Sequence, residues 1–141
     1  MKKLNFKIQS NHAIDIGNSI LDLHNNYDFN GLTYNVPLNT IRFSWIKTDA
    51  DWVPKDHPAN IQIIFEGVQF FKTYFSSTER QTELDKLTLS FVGYLHPDDV
   101  DIMDGCLDEK EASNEFHIIF SFENGLSIKI YSENAKAEWT E

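Results

Sequence analysis

The stretch that decides the fold is residues 116–132, FHIIFSFENGLSIKIYS, in which two alternating apolar runs flank Asn124-Gly125. An Asn-Gly pair between such runs is the strongest short-range signal for a β-hairpin. A three-residue loop, 123–125, puts all the large apolar residues of both runs except Ile119 on one face, and a one-residue slip loses that arrangement. We therefore predict a loop that ends with a glycine bulge, with Gly125 in the left-handed region. The predicted register pairs 116 with 132, 118 with 130, 120 with 128 and 122 with 126.

The same register places His117 opposite Tyr131, on the face away from the phenylalanine stripe. We predict that His117 is a surface histidine. Alternation of apolar and polar residues marks further strands at 40–47, 61–65, 68–74 and 87–94. Shorter strands are expected at 4–8 and 32–36, and a last edge strand at 135–139. Glu66-Gly67 predicts a tight turn or a bulge between two runs, and 77–80 suit one helical turn.

Residues 13–24 are the ambiguous segment, because their apolar positions fit helical spacing only in part. Gly17 inside a helix costs about 1 kcal/mol relative to alanine. We predict a helix there, capped by Ser10 or Asn11, with a strand pair as the alternative. Because the strands follow one another without crossover helices, the fold is predicted to be mainly β, with α+β as the other possibility. The architecture expected is an antiparallel sheet or sandwich of six to eight strands with about one N-terminal helix.

Composition favours one globular domain spanning residues 1–141. The chain holds 11 Phe, 5 Tyr and 3 Trp, and only four Pro and six Gly argue against a long disordered segment. Cys106 is the single cysteine, so no intrachain disulfide can form. The chain shows no secretory signal and no run of about 18 apolar residues. A soluble, cytoplasmic protein is therefore expected.

The net charge of −10 is concentrated in one segment. Residues 98–115 hold eight acidic residues against Lys110 alone, for a net charge of −7. This balance opposes binding to nucleic acid or to an anionic membrane, and it predicts a basic protein partner. Trp52, in a polar loop, is either an anchor for a partner or a lid over the end of the sheet. The predicted partner-binding residues are Trp52 and seven acids of this segment: Asp98, Asp99, Asp101, Asp104, Asp108, Glu109 and Glu111.

The sequence carries no catalytic or metal-binding motif of adequate specificity. Counting from Asp99, a calcium loop would need a ligand at Met103, glycine at Asp104 and glutamate at Lys110, so the pattern fails. The five histidines show no metal-ligand spacing, and Cys106 lies among carboxylates that disfavour a thiolate. We therefore predict no catalytic residue, no metal ligand and no cofactor. Two alternatives stay open: a divalent-metal or enzymatic site built from the aspartates, and a structural or small-ligand-carrying β domain.

Three stretches carry a resemblance to known proteins: Arg42-Phe43-Ser44-Trp45, residues 61–68 and residues 120–135. With these features the chain resembles the small, acidic, β-rich immunity proteins that bacteria encode beside toxins. It equally resembles uncharacterised bacterial families of the same size. The first resemblance implies a non-enzymatic inhibitor that binds its cognate toxin. The acidic segment would then mimic the phosphates that a basic nuclease surface recognises.

Overall fold

The structure, a computed structural model, describes residues 1–75, 88–99 and 106–141. None of these residues is helical, and so no described helix has the length and apolar character to cross a membrane. The described residues form ten strands: β1 (Lys2–Lys3), β2 (Lys7–Gln9), β3 (Ala13–Asp15), β4 (Ile20–Asp22), β5 (Tyr27–Asn35), β6 (Thr40–Lys47), β7 (Asn60–Phe75), β8 (Leu89–Leu95), β9 (His117–Phe122) and β10 (Leu126–Thr140).

Two sheets organise these strands. The larger sheet has the strand order β5-β6-β7-β10-β9-β8, and β1 pairs in parallel with the second half of β10. Strands β2, β3 and β4 form a small second sheet. Every pairing except that of β1 is antiparallel, as the short connections between predicted strands indicated. The prediction of a mainly antiparallel β fold is confirmed.

The hairpin of β9 and β10 has the predicted register. Phe120 lies opposite Ile128, and Ile118 lies opposite Ile130. The loop holds residues 123–125, and Gly125 has a φ of 88°, which an L side chain rarely adopts. The Gly125 N–H donates to the carbonyl oxygen of Phe122 over 3.0 Å and closes the loop.

The predicted N-terminal helix at 13–24 is wrong, and the alternative strand pair is present as β3 and β4. Ile14 lies opposite Leu21, and both side chains are fully buried. Gly17 has a φ of 101°, so it serves the turn between the strands instead of weakening a helix. Ser10 and Asn11, predicted as helix caps, both have positive φ and, together with His12, form the three-residue connection between β2 and β3.

Two predicted boundaries also need correction. The runs 61–65 and 68–74 belong to one strand, β7, in which Gly67 has a φ of 68°. The β7–β10 register shifts by one residue between Val68 and Phe70, so Glu66-Gly67 leads into a bulge and not a turn. The predicted edge strand at 135–139 is the second half of β10, between β7 and β1. The helical turn predicted at 77–80 lies outside the described residues.

The core forms where the larger sheet curls over on itself. The ring centroids of Phe29 on β5 and Phe122 on β9 are 4.5 Å apart, and those of Phe43 on β6 and Phe120 on β9 are 4.6 Å apart. These strands are not neighbours in the sheet, so only curvature brings their side chains together. Burying each such ring contributes roughly 1.5–3 kcal/mol, which makes this aromatic contact a main source of stability.

Hydrogen bonds from Asn11 and Leu107 cover the outer edge of β8. The Val92 N–H donates to the Asn11 carbonyl oxygen over 2.8 Å, and the Asn11 side-chain amide donates back to the Val92 carbonyl over 3.1 Å. Tyr94 and Leu107 exchange two backbone hydrogen bonds of 3.0 and 2.8 Å. Pairing an exposed edge in this way blocks association with another strand. It also fixes the second part of the acidic segment beside β8.

Candidate partner-binding surface

Six of the eight predicted partner-binding residues lie among the described residues, in three places. Asp101 and Asp104 lie outside the described residues. Asp98 and Asp99 follow the end of β8, and Asp108, Glu109 and Glu111 follow the Leu107 bridge. Trp52 lies on the loop between β6 and β7.

Glu109 is an internal anchor in this structure. Its Oε2 accepts hydrogen bonds from the Tyr94 hydroxyl over 2.6 Å and from the Ile8 N–H over 3.0 Å. Its Oε1 lies 2.8 Å from the Lys3 ammonium. Burial raises the pKa of Tyr94, and the adjacent Glu109 carboxylate raises it further. Glu109 thus joins β1, β2 and β8, and its carboxylate is occupied by the protein's own groups.

Asp108 shapes the chain around Glu111. Its Oδ1 accepts hydrogen bonds from the backbone N–H groups of Lys110 over 3.0 Å and Glu111 over 3.2 Å, a local turn that aspartate favours. Glu111 and Glu115 are exposed. Glu111 therefore presents its charge to solvent, and Asp108 holds the turn that presents it.

A buried lysine fixes the position of Asp98 and Asp99. Lys129, on β10, is 1% exposed, and its ammonium donates to the carbonyl oxygens of His96 and Pro97 over 3.2 and 3.0 Å, and to that of Asp99. Burial lowers the pKa of Lys129, and the charges of Asp99 and Asp98 act in the opposite direction. The hydrogen bonds go to carbonyl groups, and both aspartates remain exposed. The side chain of Asp98 is 92% exposed.

His117 lies opposite Tyr131 as predicted, but the prediction of a surface position is wrong. Its ring packs between Phe70, at 4.9 Å between centroids, and Tyr131, at 5.0 Å, and it is 8% exposed. Its Nδ1 is buried and finds no hydrogen-bond partner among the described residues. Burial lowers the pKa of His117 to about 4, and the positive charge of Lys129 adds to the effect. Strand alternation assigns a face, but it does not show what covers that face.

Trp52 is exposed and held in one orientation. It is 69% exposed, and its Nε1–H donates to the Asn25 carbonyl oxygen over 3.1 Å. Val53 next to it is buried and anchors the loop. Asp49 and Asp51, which precede Trp52, are exposed as well. The ring therefore offers a fixed aromatic surface in an acidic loop, the kind of surface that a cationic side chain contacts.

Trp52 and the acidic segment lie at different ends of β8. His24, beside the Trp52 contact at Asn25, faces the Leu89 carbonyl at the start of β8, whereas Glu109 binds Tyr94 near its end. Five residues of extended chain span roughly 17 Å. A partner that contacts both places must therefore cover the length of this strand.

Cys106 is a half-buried free thiol beside Asn11. Burial raises the pKa of the Cys106 thiol, and its Sγ lies 3.5 Å from the side-chain amide of Asn11. Within residues 1–75, 88–99 and 106–141, no group of three or more His, Cys, Asp or Glu side chains is arranged to hold a metal ion.

No family model, no curated protein and no solved structure matches the chain.

Proposed function

We propose that this chain is a non-catalytic binding protein whose acidic segment contacts a basic protein partner, in the manner of the bacterial immunity proteins that its sequence resembles. The observation that supports the proposal is the pair of exposed carboxylates at Asp98 and Asp99, on a turn that Lys129 anchors through backbone carbonyls. The Lys129 ammonium donates its hydrogen bonds to carbonyl oxygens, so neither carboxylate is hydrogen-bonded to it and both stay exposed.

Electrostatic steering supplies the mechanism. Several carboxylates on one surface raise the association rate with a basic partner. Salt weakens this effect, because the Debye length is roughly 8–10 Å at physiological ionic strength. Asp98, Asp99 and Glu111 are exposed members of the segment, and Trp52 adds an aromatic contact at the other end of β8. A basic surface that contacted both the acidic segment and Trp52 would associate faster because of the charges and dissociate more slowly because of the aromatic ring.

The test is affinity capture from lysate of the source organism, followed by association kinetics with the purified partner. The double variant Asp98→Asn/Glu111→Gln removes two exposed charges from the segment. The matched control, Glu123→Gln/Glu133→Gln, removes two exposed charges elsewhere. We expect a basic partner whose association slows about tenfold at low salt with the first variant, and much less with the second, because nearby charges dominate steering.

Two results would count against the proposal. Equal association rates for the two double variants would show that the acidic segment does not guide binding. Retention of acidic or neutral proteins only, unaffected by salt, would remove the basic partner altogether.

A further inference from the structure

A polar cleft lies on the outer face of the larger sheet, where β6, β7 and β10 run side by side. Two rows of side chains cross these strands in register: the first is Ser44, Gln62 and Glu138, and the second is Ile46, Asn60 and Thr140. The cleft has a volume of about 260 Å³ and is open to solvent, with Asn30 and Trp139 at its border. It belongs to neither the acidic segment nor the Trp52 loop.

Ser44, which has a short side chain, forms part of the lining of the cleft. Ser44 lies opposite Gly31 on β5, where the β5–β6 register shifts between Phe29 and Gly31. Gly31 has a φ of 105° and carries no side chain, and a Cβ at this position would meet no atom within 4 Å. The longer side chains of Gln62 and Glu138 lie in the same row as Ser44.

Internal contacts hold the polar side chains of the cleft and balance their charge. The Arg42 guanidinium donates to the Gln62 amide oxygen over 3.0 Å and lies 3.8 Å from the Glu138 carboxylate. The Asn60 amide donates to the Thr140 hydroxyl over 3.3 Å. Lys136 also lies 3.7 Å from the Glu138 carboxylate and 3.5 Å from that of Glu66, so two cations and two carboxylates balance this patch in a chain with a net charge of −10.

We infer that this cleft binds a neutral sugar, as a single ring of a monosaccharide or of a longer glycan. Each sugar hydroxyl both donates and accepts hydrogen bonds, and amide and hydroxyl side chains such as Gln62, Asn60 and Thr140 offer both functions. Ile46, which is 45% exposed, gives apolar surface for the C–H groups of a pyranose. The volume is near the lower end of ligand pockets, roughly 300 Å³, which suits one ring.

Charged ligands fit the cleft less well. A phosphate or carboxylate ligand needs a cation that is free to pair with it, but Arg42 already faces Glu138 and Gln62. A basic ligand would meet the same balanced pair. The sugar proposal does not depend on the basic-partner proposal, because the two involve different residues.

The experiment is an NMR titration of the ¹⁵N-labelled protein with the methyl glycosides of glucose, galactose, mannose and N-acetylglucosamine, each to concentrations in the millimolar range and above. We expect saturable shifts in at least one titration, centred on Ser44, Asn60 and Gln62. Gln62→Ala should weaken that binding about three- to tenfold, as the loss of one hydrogen bond does. Gln69→Ala is the matched control, since Gln69 is exposed on the same strand outside the cleft.

A second variant keeps the test decisive if Gln62→Ala does not fold. Thr140→Val removes a hydroxyl near the end of β10 and should also weaken binding about three- to tenfold. If none of the four glycosides gives saturable shifts at the cleft, the inference is overturned. Binding that is unchanged in Gln62→Ala or Thr140→Val, or that falls equally in Gln69→Ala, overturns it too, because the sugar would then lie elsewhere.

Discussion

The Lys129 ammonium donates a hydrogen bond to the Pro97 carbonyl oxygen over 3.0 Å and so ties the middle of β10 to the start of the acidic segment. The same ammonium also binds the carbonyl oxygens of His96 and Asp99. One buried side chain therefore fixes the turn on which Asp98 lies. The proposed binding surface depends on a residue that no partner would touch.

Replacing this lysine should destabilise the protein. In Lys129→Met the side chain keeps its length, but the carbonyl groups of His96, Pro97 and Asp99 lose their donor. We expect the free energy of unfolding to fall by about 1–3 kcal/mol, measured by urea denaturation. Lys72→Met is the control, since Lys72 lies directly opposite Lys129 on β7 but is exposed. It should change stability by no more than about 0.5 kcal/mol, and equal losses in the two variants would contradict the anchoring role.

Glu109 and Glu111 allow a matched comparison within the acidic segment. Glu109→Gln removes the charge that faces Lys3 at 2.8 Å and weakens the acceptor used by Tyr94 and Ile8. Because this carboxylate is partly buried, we expect a loss of about 1–2 kcal/mol in the free energy of unfolding. Glu111→Gln, at an exposed position, should cost no more than about 0.5 kcal/mol. Urea denaturation of both variants checks the difference, and a larger loss for Glu111→Gln would reverse the assignment.

The sequence predicts the hairpin register well because the signal is local and both strands of the hairpin carry it. Side chains alternate strictly in a strand, so the large apolar residues of β9 and β10, apart from Ile119 and Tyr131, share a face in one register only. The segment 13–24 lacks such a signal, since its periodicity fits neither pattern fully. What decides it is tertiary: Ile14 and Leu21 are both fully buried as a cross-strand pair. Local preference alone does not contain that information.

The candidate surface is predictable in charge but not in the role of each residue. Glu109 and Glu111 look alike in the sequence, yet Glu109 binds the Ile8 N–H, which is 101 residues away along the chain. His117 is a similar case, because Phe70 and Lys129 come from other strands. The polar residues of the cleft lie in strands that the alternation of apolar and polar residues does predict. Their alignment across β6, β7 and β10 depends on strand order, which the sequence does not show.

Gly125 offers a test of the hairpin loop. Its φ of 88° is unfavourable for any residue with a Cβ, so Gly125→Ala should lower the free energy of unfolding by about 1–2 kcal/mol. Glu123→Ala changes an exposed residue of the same loop, whose φ is not positive, and should cost no more than about 0.5 kcal/mol. Thermal and urea denaturation measure both values. Equal stability of the two variants would mean that the loop does not require the left-handed residue.

His117 should make the protein sensitive to acid between pH 6.5 and about 4. Above pH 6.5 its imidazole is neutral in both the folded and the unfolded chain, so its contribution to stability is complete. As the pH falls, the unfolded chain binds a proton at the ordinary pKa of 6.5, whereas burial holds the pKa of the folded chain at about 4. The free energy of unfolding should therefore decrease through this window, by about 3 kcal/mol in total.

The variant His117→Phe isolates this effect. Phenylalanine keeps an aromatic ring between Phe70 and Tyr131 but takes up no proton, so the decrease in stability between pH 6.5 and 4 should become shallower. His12→Asn serves as the control, because the side chain of His12 is 41% exposed and lies on the small sheet's turn. Urea denaturation at intervals across this pH range gives the slope for each protein. If His117→Phe follows the same slope as the wild type while His12→Asn flattens it, the acid sensitivity belongs to another group, and the unpartnered Nδ1 of His117 has no part in it.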